Sequence, residues 1–226
     1  MVKEISDMLT YSDLLENDKI MTCIRRADDA LLELGYTEHN LAHVAKVASA
    51  AEYILKTLGY SEREIELARI AALMHDIGNL ANRKNHSTSG AVMAFCILSE
   101  LGMSADEIAT VTSAIGNHDE GTGTPVDAIS AALILADKSD VRRSRVRNED
   151  FASFDIHDRV NYSVEHSELV IDPENKRCRL DLRIDTKHGT VMDYFEIFME
   201  RMLFCRGAAR RLGLEFDLTI NEFSLM

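Results

Sequence analysis

The chain has 226 residues, 46% hydrophobic and 28% charged, which excludes a mostly disordered polypeptide and leaves room for one large domain or two small ones. Its formal net charge of -13 is spread along the sequence, so neither a broad nucleic-acid face nor attraction to an anionic membrane is expected. The first residues lack the build of a signal peptide and no apolar run is long enough to cross a bilayer, so the chain reads as cytoplasmic; Cys23, Cys96, Cys178 and Cys205 form no C-x-x-C pair and read as reduced core residues.

From Tyr11 to about Leu34 apolar residues recur near helical spacing, and Gly35 closes the run. A second helix is predicted from about Thr37 to Leu58, with His39 and His43 one turn apart on one face and Gly59 as its stop. Ser61 and Glu64 stand at capping-box spacing and open the next helix, which ends at His75 and Asp76. The turn-rich "GNLANRKNHSTSG" delivers His86 to a helix from about Ser87 to Leu101. Ser104 and Glu107, again at capping-box spacing, open the helix that leads to His118. After the connector "DEGTGTP", Thr124 as cap and Pro125 as first helical residue predict a helix carrying Asp137 and Lys138.

Up to about residue 147 the pattern is all helix. Beyond it "SELVIDPENKRCRLDLRID" reads as a hairpin around a "DPEN" turn, Thr190 to Leu212 as one long helix stopped by Gly213, and Leu214, Phe216, Leu218 and Ile220 as the inner face of a strand. The expected fold is therefore mainly α: a helical bundle over residues 1–148, with its core at about 39–147, followed by a small α+β module over 149–226. The long helix is apolar on more than one side, which fits a buried helix or a homodimer contact.

A lone histidine beside an apolar helix face is more often a hydrogen-bonded structural residue than a ligand. Here His43, His75, Asp76, His86, His118 and Asp137 fall at or near the ends, or on the faces, of different predicted helices, and neighbouring helices bring such side chains together in a bundle interior. Burying so many polar groups without compensation costs several kcal/mol each, and a metal ion removes that penalty. Imidazoles mixed with carboxylates suit iron, manganese, zinc, cobalt or nickel, and the inventory is large enough for two ions bridged by Asp76. His39, on one face with His43, reads either as a partner supporting that ligand or, by preference, as a surface or structural residue, and His157, His166 and His188 read as surface or hairpin residues.

The motifs "HVAKVASAA", "MHDIGN", "NHSTSG", "IGNHDE" and "LADKSD", in that order over about residues 39–147, resemble the HD-domain metal-dependent phosphohydrolases. The resemblance implies that His43, His75, Asp76 and Asp137 form a first metal site and that His86 and His118 supply a second. It implies one or two divalent transition-metal ions, with iron or manganese favoured, and hydrolysis of a small phosphorylated metabolite or nucleotide by a metal-activated water at Asp76; because a transferring phosphoryl group also needs a nearby cation, Lys138, next to Asp137, is the second catalytic candidate. The chain has no "GYP" stretch, and "NHDE" offers one histidine where the branch that hydrolyses cyclic dinucleotides has two, so cyclic di-GMP is not the expected substrate. Asp119 and Glu120 are either further ligands or solvated loop acids. Arg83, Lys84, Arg142 and Arg143 are candidate phosphate contacts, with Arg145 and Arg147 in the same basic run; the alternative for that run is a solvated helix end. Two other readings stay open: a regulatory protein with a structural metal, and an HD-type di-iron oxygenase.

Overall fold

Asn17 divides the first apolar run. In the computed structural model, which describes residues 8–148 and 150–225, its side chain accepts from the amides of Lys19 and Ile20. The single helix expected over this stretch is therefore two, α1 (Tyr11–Leu15) and α2 (Asp18–Glu33). Asn40 does the same for α3 (Leu41–Thr57), which starts later than expected and leaves His39 in extended chain ahead of the helix. The Ser61–Glu64 capping box opens α4 (Glu62–Met74) as anticipated. A 3-10 turn (Ile77–Leu80) follows, then α5 (His86–Glu100) and α6 (Ala105–Gly116). Ser104 caps α6, but the Glu107 carboxylate turns to Arg63 at 2.5 Å instead of closing the box. α7 (Ala128–Lys138) opens at Asp127, paired reciprocally with Ser130. Thr124 is not its cap and Pro125 lies in the connector, so that expectation is corrected.

α8 (Ile156–Ser163), short and polar, was not anticipated. The chain then forms β1 (Val164–Asp172), β2 (Arg177–Ile184), α9 (Val191–Arg211), β3 (Glu215–Ile220) and β4 (Phe223–Ser224) in a sheet of order β1-β2-β3-β4. β1 and β2 are the hairpin. β3 returns parallel to β2, with α9 as the crossover. The fold is mainly α with a small four-stranded sheet.

α7 is buried on nearly every side from Ile129 to Ala136 and packs against α3, α4, α6 and α9. α9 presents Tyr194, Phe198, Met202, Cys205 and Ala209 to the interior, and the inner face of the sheet adds Leu180, Leu182, Phe216 and Leu218. One continuous apolar cluster runs from Tyr11 to Ile220. The bundle and the C-terminal elements therefore share a core, tied further by the Ile171 amide donating to the Tyr53 hydroxyl and by Ser167 Oγ donating to the Ser139 carbonyl. Cys178 and Cys205 lie in that core, whereas Cys23 is half-buried and Cys96 is exposed, which corrects the reading of all four as core residues. Among the described residues no helix is long and apolar enough to cross a membrane.

Candidate metal centre

Helix ends carry the donors. His43 sits in the first turn of α3, His75 closes α4, Asp76 begins the 3-10 turn, His86 is the first residue of α5, His118 follows the end of α6, and Asp137 lies in the last turn of α7. Two local features set His86 in place. Asn85 adopts the left-handed conformation (φ 61°), tolerated by asparagine, which turns the loop into α5. Gly78 lies backbone to backbone against α5: a Cβ there would stand 2.0 Å from the His86 carbonyl oxygen and 2.4 Å from the Gly90 nitrogen. The 3-10 turn after Asp76 and the helix beginning at His86 can approach only because residue 78 has no side chain.

The structure brings all these donors into one cluster, and every one of the four imidazoles is buried. Asp76 Oδ2 is 3.1 Å from His75 Nε2 and 3.9 Å from His43 Nε2; its Oδ1 is 3.5 Å from His86 Nε2 and 3.8 Å from His118 Nε2. Asp137 Oδ1 is 3.4 Å from His43 Nε2 and 3.7 Å from His75 Nε2. Each oxygen of Asp76 thus faces its own pair of histidines.

The opposite ring nitrogens fix the tautomers. Nδ1 donates to Asp140 Oδ2 in His43 (2.8 Å), and to the carbonyls of Ala72 in His75 (2.7 Å), Arg83 in His86 (3.1 Å) and Ile115 in His118 (2.6 Å). These partners only accept, so each ring carries a proton on Nδ1 and turns Nε2 inward, bare wherever the ring is neutral. Among the described residues the Nε2 atoms of His43 and His75 have no hydrogen-bond partner, and those of His86 and His118 face each other at 3.2 Å, where with both protons on Nδ1 neither donates. Arg83 Nη1, at 3.3 Å, offers a donor to His86 alone. Inward lone pairs beside two carboxylates form an environment that a cation completes. Bonds of about 2.0–2.2 Å put neighbouring ligands roughly 3 Å or slightly more apart, so the observed spacing fits divalent transition metals.

The charge balance says the same. Burial disfavours the charged form of His75, yet the adjacent Asp76 and Asp137 carboxylates raise its pKa to about 9. Burial likewise opposes charge on Asp76, but the adjacent His75 holds it well below the usual carboxylate range. In His86, burial, reinforced by His118 and Arg83, lowers the pKa to about 4 against the pull of Asp76. His86 is therefore neutral at pH 7, as a ligand must be.

A cavity of about 420 Å³ opens onto the cluster, walled by the loop at Tyr36, by Arg83, Lys138 and Arg145, by Asp158 and Asn161 of α8, and by Ile197, Phe198 and Arg201 of α9. Lys138 Nζ sits 2.8 Å from Asp137 Oδ2 and 2.7 Å from Glu120 Oε2. Burial opposes its charge, but those two carboxylates raise its pKa, so it stays an ammonium. Arg83 reaches the cavity and Lys84 points to solvent. Arg142 and Arg143 line no part of it: Arg142 pairs with Asp140, and Arg143 is spent on the Tyr162 carbonyl, the Tyr162 ring and Asp185. Arg145 is a buried strut that donates to the carbonyls of Glu38 and Asp140, and Arg147 pairs with Asp28. Glu120 is half-buried and joins Lys138 to Arg201. His39 lines the cavity; His157 also borders it but keeps its side chain exposed, as the surface reading expected, whereas His166 and His188 lie away from it. Sequence reasoning missed Arg201, because nothing local to α9 marks it, and Asn79, whose amide donates to Asp76 Oδ1 at 2.9 Å.

The sequence profile of the HD domain matches residues 40–150. The uncharacterised protein MJ1020 of Methanocaldococcus jannaschii is 28% identical over 205 residues, covering 80% of this chain and 78% of that protein. The crystal structure of a protein named as a predicted HD superfamily hydrolase, from an uncultured Thermotogales bacterium, is 25% identical and superposes with a TM-score of 0.45, covering 59% of this chain and 75% of the other. Residues 40–150, which contain all the donors of the cluster, are an HD domain.

Proposed function

We propose that the protein is a metal-dependent phosphohydrolase that binds two divalent transition-metal ions, iron or manganese by preference, and acts on a small phosphorylated metabolite or nucleotide. The observation that carries this reading is Asp76, whose two oxygens face separate histidine pairs, as a bridging carboxylate between two ions requires. His43, His75 and Asp137 would hold one ion and His86 and His118 the other. Bound ions would lower the pKa of water to near 7 and counter the charge of the attacking and leaving oxygens.

The rest falls to the chain's own side chains. Lys138, kept protonated between Asp137 and Glu120, presents a fixed positive charge at the cavity wall, where the equatorial oxygens of a transferring phosphoryl group need one. Arg83 stands at the His86 end and can take a second phosphate oxygen. The Nδ1 partners hold the imidazoles so that no reorientation is needed when substrate arrives.

The test is phosphate release from a panel of phosphomonoesters, nucleotides and cyclic dinucleotides by protein loaded in turn with manganese, iron, cobalt or nickel. Release is expected from small monoesters, and Asp76→Ala is expected to abolish it. Bound metal with no turnover on any member of the panel would overturn the hydrolase reading and favour a regulatory protein; iron-specific oxygen consumption would favour an oxygenase.

A further inference from the structure

A chain of ion pairs leads away from the metal centre: Asp137 to Lys138 at 2.8 Å, Lys138 to Glu120 at 2.7 Å, and Glu120 Oε1 to both Nε and Nη2 of Arg201 at 3.3 Å. Its last member comes from α9, outside the HD domain. The Arg201 guanidinium is stacked on the Phe198 ring, 4.3 Å from its centroid, which fixes its plane where it faces the cavity. Two cations so close in a partly buried wall repel unless an anion lies between them, and Glu120 is that anion here. Two of the guanidinium N–H groups go to one carboxylate oxygen at the long end of hydrogen-bond range, leaving the rest of the donor fork for another acceptor.

We propose that Arg201 is a phosphate-binding residue supplied to the HD centre by the C-terminal helix, and that Glu120 holds the Lys138–Arg201 pair in the place a phosphate dianion takes when substrate binds. The inference rests on the hydrolase reading and extends it: the substrate class is a phosphomonoester whose dianionic phosphate displaces Glu120 from Arg201 and is gripped by the metal centre at one side and by the two cations at the other. A guanidinium suits this task because its fork matches phosphate oxygens in pairs. Arg142 and Arg143, the arginines that sequence proximity nominates, have no access to the cavity.

The test is calorimetric titration of the manganese-loaded full chain with inorganic phosphate, with thermal unfolding recorded beside it. Arg201→Ala is expected to weaken phosphate by roughly tenfold or more, the loss of charge-assisted hydrogen bonds, and Arg201→Lys by less. Glu120→Gln removes the competing anion and is expected to tighten phosphate. In turnover, Arg201→Ala is expected to raise KM more than it lowers kcat. A purely structural clasp predicts instead that both substitutions lower the unfolding temperature and shift phosphate affinity in the same direction, or not at all; either result overturns the proposal, as does failure of the unmodified protein to bind phosphate. If Arg201→Ala does not fold, Arg201→Gln takes its place. Opposite phosphate shifts with no turnover on any phosphoester would remove the hydrolase reading while leaving Arg201 as an anion ligand.

Discussion

His43 makes its contribution through an atom that never meets a metal. Its Nδ1–H is held by Asp140, itself gripped by Lys46 and Arg142, and that grip decides which nitrogen faces the centre. Asp140→Ala is expected to cut manganese affinity about 10–100-fold by direct titration while the protein stays folded; unchanged affinity would remove His43 from the ligand set. His75 gives a second prediction. With its pKa raised to about 9 by the neighbouring carboxylates, it is protonated at pH 7 in the metal-free protein, so metal binding expels a proton and affinity climbs with pH until about 9. Titrations in buffers of different ionisation enthalpy count that proton. For the metal-free fold the sign is the reverse: a raised histidine pKa contributes stability that is full below about 6.5 and is lost as pH rises through about 9. At this scale much was legible, because histidines and aspartates at helix ends have few bland explanations when they recur. The arginines were not, since closeness to Asp137 along the chain says nothing about which way Arg142 and Arg143 turn.

The helices are positioned by caps and by one backbone approach. Gly78→Ala would put a methyl group inside the van der Waals envelope of the His86 carbonyl and the Gly90 nitrogen, both backbone and neither free to rotate away. The substitution is expected to cost roughly 3 kcal/mol or more, read as a lowered unfolding midpoint, with metal affinity falling because His86 is pushed off the centre. A protein of unchanged stability would mean that the 3-10 turn and α5 separate easily. The capping box at Ser61 was readable because its two halves lie three residues apart and nothing competes for them. The start of α7 was misread because Thr124–Pro125 offers a stronger local pattern than Asp127, and a proline in an extended connector looks no different from one at a first helical position. Ser104 and Glu107 fit the box in sequence, yet Arg63, distant in sequence, outbid Ser104 for the carboxylate. α8 was missed because its eight residues carry too few apolar positions to show a period.

Across the whole molecule, the sheet and α9 finish the same core that the bundle begins, so the C-terminal elements are a wall of the cavity more than an appendage. Phe198→Ala, which empties the contact beneath Arg201, is expected to destabilise the protein by about 3–5 kcal/mol in a denaturant titration, and a chain ending near Asn148 is expected to lose cooperative unfolding. A truncated chain that unfolds cooperatively and turns over phosphoesters would show that α9 is dispensable. The mainly α class and the closing hairpin, helix and strand were readable from periodicity, but the sharing of one core was not, because apolar patterning tells which face of α9 is buried without telling against what. The order of the elements has a consequence for synthesis. On the ribosome every metal donor has emerged once Asp137 is out, whereas the helix bearing Phe198 and Arg201 follows only after the hairpin has been made. A nascent chain therefore has every imidazole and carboxylate of the cluster in place along its length before the helix that walls the chamber exists, and the chamber is closed only when the C-terminal elements complete the shared core.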